Sequence, residues 1–266
     1  MAVFLEPVRY SPACVSCSDL VLHRLFQPSL SGHSLMPTSS TPTLFPLSVP
    51  TLPIQGENAR FPVRRIWCVG QNYAEHSREM GSNPDRDPPF FFSKPADAVT
   101  QNSVLPFPPQ TDNLHPEVEL VVAIGSGGTD ISPDTALSHI YGYAVGLDMT
   151  RRDLQATAKK TGRPWSLAKG FDASCPVSAI KPASHTPALT HSAITLTVNG
   201  EIRQSGKIDD MIWSIPEIIS ALSRSVRLES GDLIMTGTPA GVSRIVKGDR
   251  LDAKCENIGE LSLTYI

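Results

Sequence analysis

The stretch Leu114-His115-Pro116-Glu117-Val118-Glu119-Leu120-Val121-Val122-Ala123-Ile124 decides how the chain is read. Its apolar half reads as a buried strand. A strand turns successive side chains to opposite faces, so Glu117 and Glu119 share one face while Val118, Leu120, Val122 and Ile124 share the other. Two carboxylates side by side repel each other. A divalent cation between them resolves the conflict, because hard oxygen ligands suit magnesium, calcium or manganese. A strand at a solvent-facing sheet edge would also accommodate the pair.

Around this stretch, 266 residues are enough for one large domain or two small ones. The 23 basic and 26 acidic residues leave a net charge of −3, which argues against nucleic acid or a membrane surface as a general partner. Five cysteines do not make a disulfide framework, and Cys14-x-x-Cys17 has no second pair to complete a zinc site. A reducing, cytoplasmic compartment is expected. No apolar run reaches the roughly 18 residues of a spanning helix, and the charged-then-apolar order of a secretory signal is missing.

Residues 1–60 hold eight of the 24 prolines and show no sustained period, so they are expected to form an extended or disordered arm ahead of a body at 61–266. Met36 is a candidate natural start, an organelle-targeting role for the preceding residues being the alternative. Within the body, Arg65–Val69 reads as a strand, Tyr73–Met80 as about two helical turns, and Ile140–Leu147 as a buried strand that delivers Asp148. Thr150-x-x-Asp153 reads as a capping box for a helix closed by Gly162. Asn199-Gly200 signals a hairpin, and Ser214, Pro216 and Glu217 open a helix. Many short strands with few helices indicate an α+β chain that is mainly β, not alternating βαβ units.

Asp148 offers a third carboxylate at a strand end, although such a residue also serves as a turn or cap. Three carboxylates with open positions describe a magnesium site. Arg152 and Gln155 stand at i and i+3, on one helix face beside it, where Arg152 could fork onto a substrate carboxylate. Arg151 and Lys159 read as surface charges. His76 and Glu79, also at i and i+3, form a general-base pair in outline, although a histidine in this context is otherwise ordinary surface. Lys169 lies in a small-residue, apolar setting that suits charge stabilisation. The turn Thr236-Gly237-Thr238-Pro239 presents hydroxyls and N–H groups, as a plain tight turn also would.

In order, Gly70-Gln71-Asn72-Tyr73-Ala74-Glu75-His76, Phe92-Ser93-Lys94-Pro95, Glu117-Val118-Glu119, Gly146-Leu147-Asp148-Met149-Thr150-Arg151-Arg152-Asp153, Lys169-Gly170-Phe171-Asp172 and Thr236-Gly237-Thr238-Pro239 resemble the fumarylacetoacetate hydrolase family. Phe61-Pro62-Val63-Arg64-Arg65 and Asp85-Arg86-Asp87-Pro88-Pro89-Phe90-Phe91-Phe92 look most like its fumarylpyruvate hydrolases of aromatic-acid degradation. The resemblance implies a mixed β-roll, β-barrel-like fold and a homodimer. It implies Mg2+ or Mn2+ on Glu117, Glu119 and Asp148, and His76 with Glu79 as the water-activating pair. Arg152, Gln155, Lys169 and Thr238 match substrate-contacting positions. Gln71 stands where members commonly carry a basic residue, and a glutamine can hydrogen-bond a carboxylate without neutralising it.

The activity so implied is metal-dependent hydrolysis of a carbon–carbon bond in an acylpyruvate, fumarylpyruvate giving fumarate and pyruvate, with Lys169 stabilising the enolate. Oxaloacetate decarboxylation or isomerisation of 2-hydroxyhepta-2,4-diene-1,7-dioate would use the same enolate. A non-catalytic metal and 2-oxo acid binding protein is the rival from another class.

Overall fold

The computed structural model describes residues 43–81 and 87–266. Val118–Ile124 lies inside a six-stranded sheet of order Lys181–Pro182, Ile140–Leu147, Val118–Ile124, Asp232–Met235, Arg65–Val69, Phe91–Lys94. It is antiparallel to both neighbours and buried along its whole length. Paired on both sides, it is not an edge strand, so solvent does not relieve the repulsion of its carboxylates.

The period-two pattern sorts the strand between separate parts of the core. Val118 and Leu120 pack with Ile194, Leu196, Leu251 and Leu263 of a five-stranded sheet, ordered Glu201–Lys207, Ala193–Val198, Arg250–Cys255, Gly259–Tyr265, Val104–Leu105. Further along, Val122 and Ile124 pack beneath Ile218, Ile219 and Leu222 of the helix Ile215–Ser225. That helix opens with the expected capping box: the Ser214 N–H donates to Glu217 Oε2 at 2.9 Å. Asn199 and Gly200 both take positive φ, 54° and 86°, which is the backbone of a two-residue hairpin turn. Among the described residues both large sheets are open, so the mixed, mainly β architecture stands without a closed barrel.

Two local expectations change. The body does not begin at residue 61, because Thr51–Pro53 pairs with Arg60–Pro62, and Leu52 and Ile54 are buried against the core that holds Val121, Ala123 and Met235. Proline is tolerated in a short strand of this kind, which is why a proline-rich reading overlooked it. Residues 1–42, with Met36 and the Cys14-x-x-Cys17 spacing, lie outside the described residues. Nor is Thr150 a helix cap: it pairs with His115 in a short strand, the helix runs Arg152–Thr161, and Arg151 is its N-cap. Gly162 closes that helix at φ 65°, as expected.

Candidate active site

Glu117 and Asp148 meet because their strands pair: Val118 lies opposite Leu147, and the Asp148 N–H donates to Glu117 O at 2.9 Å. Glu119, two residues along the same face, completes a buried trio whose oxygens lie within 4.8 Å of one another. Lys169 Nζ donates to Glu117 Oε2 at 2.7 Å and to Asp148 Oδ2 at 2.5 Å. Arg152 Nη2 donates to Glu117 Oε1. Burial pushes the Glu119 carboxyl well up, and the charges of Asp148 and Glu117 add to it. Burial works against the Glu117 charge too, but Lys169 and Arg152 overcome it and hold that carboxyl well below its usual range. Against its own burial, Lys169 is held above the ordinary lysine value by Asp148 and Glu117.

These residues fit a divalent cation. Asp148 Oδ1 is buried and makes no hydrogen bond among the described residues, its near neighbour being Lys94 Nζ in an ion pair at 2.8 Å. The Gly237 N–H donates to Glu119 Oε2 at 2.8 Å, and no cationic side chain among the described residues forms an ion pair with Glu119. An all-oxygen set in which Glu119 has no cation of its own is one that magnesium or manganese takes.

His76 enters from the helix Ala74–Glu79, buried, with Nδ1 3.1 Å from Glu79 Oε2. The Gly241 N–H reaches both Glu79 oxygens at 3.3 Å. Gly241 has φ +99°, and a Cβ there would lie 2.0 Å from Arg203 O, so no other residue fits this approach. Asn72 ties the segment to its surroundings: Nδ2 donates to Thr236 O at 2.8 Å and to Trp213 O at 2.9 Å.

Glu117, Glu119, Asp148, His76, Arg152, Gln155, Lys169, Thr238 and Gln71 all line one cavity, while Glu79 stands behind His76. Arg152 Nη1 donates to Gln155 Oε1 at 2.5 Å, so the helix face pairs its own two members. The Thr238 hydroxyl donates to Val118 O at 2.8 Å and accepts from Gln204 Nε2 at 2.7 Å, which commits it to the scaffold.

Other residues escaped the sequence reading. Lys94 is buried against Asp148 and also donates to Met149 O at 3.2 Å and to Lys169 O. A lysine two residues past the apolar run Pro89-Phe90-Phe91-Phe92 was the available signal. Gln204 is buried and joins Val118 to the Thr238-Pro239 turn. Arg151 is no surface charge: it is buried, with its guanidinium 4.3 Å from the centre of the Phe171 ring. Lys159 is exposed, as a surface charge is, and its side chain also stands on the cavity wall.

Residues 65–265 match the family model described as fumarylacetoacetate (FAA) hydrolase, C-terminal. The chain belongs to the fumarylacetoacetate hydrolase family. A fumarylpyruvate hydrolase from Pseudomonas aeruginosa, solved in complex with Mn2+ and pyruvate, is 50% identical with a TM-score of 0.82, over 85% of this chain and 99% of that one. A fumarylpyruvate hydrolase from Ralstonia is 46% identical over 176 residues, 66% of this chain and 91% of the relative. The mitochondrial oxaloacetate tautomerase FAHD1 of Mus musculus is 44% identical over 204 residues, 74% of this chain and 92% of the relative. Among the described residues no helix is long and apolar enough to cross a membrane.

Proposed function

We propose that the chain is an acylpyruvate hydrolase that cleaves fumarylpyruvate to fumarate and pyruvate, using Mg2+ or Mn2+ held by Glu117, Glu119 and Asp148. The observation that carries this reading is the His76–Glu79 pair beside the same cavity as the three carboxylates. Kinship with fumarylpyruvate hydrolases, one of them solved with Mn2+ and pyruvate, supports the substrate and the metal.

When bound, the divalent ion supplies the electron-withdrawing charge that carbon–carbon cleavage beside a 2-oxo acid needs. Glu117, Glu119 and Asp148 are matched in number by Lys94, Lys169 and Arg152. With the ion in place the site therefore has a surplus of positive charge for an anionic acid. Arg152 and Gln155 bind and orient the pyruvyl end. His76 takes a proton from water as the water oxygen attacks the 4-carbonyl carbon, and Glu79 fixes the ring and stabilises its protonated form. The bond between C3 and C4 then breaks, its electron pair passes into the pyruvate enolate, and the proton held by His76 returns to C3. Lys169 keeps a positive charge against that enolate. Water and fumarylpyruvate are thereby balanced by fumarate and pyruvate.

Among the described residues the free thiols Cys68, Cys175 and Cys255 are buried, which suits a reducing compartment such as the cytoplasm, and the family resemblance favours a homodimer. Coupled detection of pyruvate, with enzyme stripped by chelator and then supplied with Mg2+ or Mn2+, tests the activity. Failure to release pyruvate from any acylpyruvate with either ion sinks it. The similarity to oxaloacetate tautomerase supports a second reading, keto–enol exchange of oxaloacetate, which moves a proton between carbon and oxygen and needs no attacking water.

A further inference from the structure

Lys159 has no part in the scheme above, yet its position gives it one. Arg152, Gln155 and Lys159 follow at i, i+3 and i+7 of the helix Arg152–Thr161, which sets them along one face, and all three line the cavity. Arg152 and Lys169, the other lysine or arginine side chains on that wall among the described residues, are both engaged by carboxylates. Lys159 forms no ion pair with a carboxylate among the described residues. Its ammonium lies 5.3 Å from the centre of the Trp165 ring, and that ring is itself set against Phe90 and Phe92 at 5.9 and 5.7 Å. An indole face holds an ammonium by its quadrupole and leaves the N–H donors free for an anion.

Seven residues of helix separate Lys159 from Arg152 by about 10 Å along the axis. The terminal carboxyl carbons of an extended seven-carbon diacid are roughly 7–8 Å apart at ordinary bond lengths. A substrate whose 2-oxo acid end lies at Arg152 and Gln155 and which extends along the helix has its other end on the side of the cavity where Lys159 stands. Gln71, on the same wall, is neutral and cannot supply that charge.

We propose that Lys159 binds the remote carboxylate of the substrate and so selects acylpyruvates whose acyl group ends in a carboxylate over those with an uncharged acyl group. This rests on the acylpyruvate hydrolase reading for the reaction, but the selection is a binding property and can be measured without turnover. Titration calorimetry with Mn2+ present compares two ligands with the same seven-carbon backbone, 2-oxoheptanedioate and 2-oxoheptanoate, which differ in the terminal carboxylate. Lys159→Met should weaken the diacid by about tenfold or more, the size of one charge-assisted hydrogen bond, and move the monoacid less than twofold. Lys159→Arg should recover most of the diacid affinity. Equal weakening of both ligands, or an unchanged diacid affinity in Lys159→Met, overturns the assignment. If the wild type prefers the diacid through Lys159 yet cleaves no acylpyruvate, the proposed reaction fails while the binding role stands.

Discussion

Gln204 Nε2 donates to Thr238 Oγ1 at 2.7 Å, and the same side chain accepts the Val118 N–H through Oε1 at 3.0 Å. One buried amide therefore clamps the Thr236–Pro239 turn to the strand that carries Glu119. The turn in return donates the Gly237 N–H to Glu119. A Cβ on Gly237 would lie 2.6 Å from Asn72 Cβ, so the clamp also depends on a glycine at φ +97°.

Replacing Gln204 by Leu keeps the volume and strands the Val118 N–H and the Pro239 carbonyl in the core. Each stranded group costs about 1–3 kcal/mol, so Gln204→Leu should lose roughly 2–6 kcal/mol of unfolding free energy in a urea titration. A midpoint within experimental error of wild type would mean that the clamp is replaced by water.

The metal site is expected to act as a stabilising linkage. An ion at a hundred times its dissociation constant adds about 2.7 kcal/mol, which for a domain of this size raises the melting temperature by roughly 5–10 °C. Glu119→Gln should abolish that rise with Mg2+ or Mn2+ and abolish turnover. The metal-free variant should melt no lower than metal-free wild type, since the buried charge that Asp148 and Glu117 oppose is gone. An undiminished metal-dependent rise in Glu119→Gln would exclude this carboxylate as a ligand.

The start of the body can be located by truncation. Removing residues 1–35, which hold six serines and show no apolar period, should leave melting and turnover nearly unchanged. Leu52→Ala, by contrast, empties a position that is 0% exposed and should cost about 2–5 kcal/mol. Equal stability of Leu52→Ala and wild type in a thermal melt would show that the Thr51–Pro62 hairpin is dispensable.

Much of this was legible because it rests on local periods. Arg65–Val69 and Ile140–Leu147 coincide with their apolar runs, and the shared face of Glu117 and Glu119 follows from strand alternation alone. What stayed hidden depends on contacts far apart in sequence. Lys94 finds Asp148, 54 residues on, only when their strands enter one fold. Thr150 and Asp153 have the spacing of a cap, but Thr150 is taken by His115 in a strand pair, and Asp153 accepts instead from Thr111 Oγ1 at 2.8 Å. Lys159 kept its helical spacing with Arg152 in plain view. Its role depends on Trp165, beyond the Gly162 that ends the helix.

The last prediction separates hydrolysis from enol chemistry at the pair His76 and Glu79, whose side chains meet at 3.1 Å. Hydrolysis needs a base to draw a proton from water, whereas decarboxylation of oxaloacetate draws mainly on charge stabilisation of the enolate. The two kinds of reaction should therefore respond differently to loss of the imidazole. His76→Ala should lower acylpyruvate cleavage by about 10² or more, the usual scale of general-base assistance, while any oxaloacetate decarboxylation persists. Glu79→Gln should cause a milder loss, since an amide can still orient the ring but cannot stabilise its protonated form. It also gives up part of its hold on the Gly241 N–H, because the acceptor there is no longer charged. Pyruvate release from the acylpyruvate and from oxaloacetate, followed in the same preparations at equal metal content, provides the measurement. If both fall by the same factor in His76→Ala, the histidine serves the enolate and not the water.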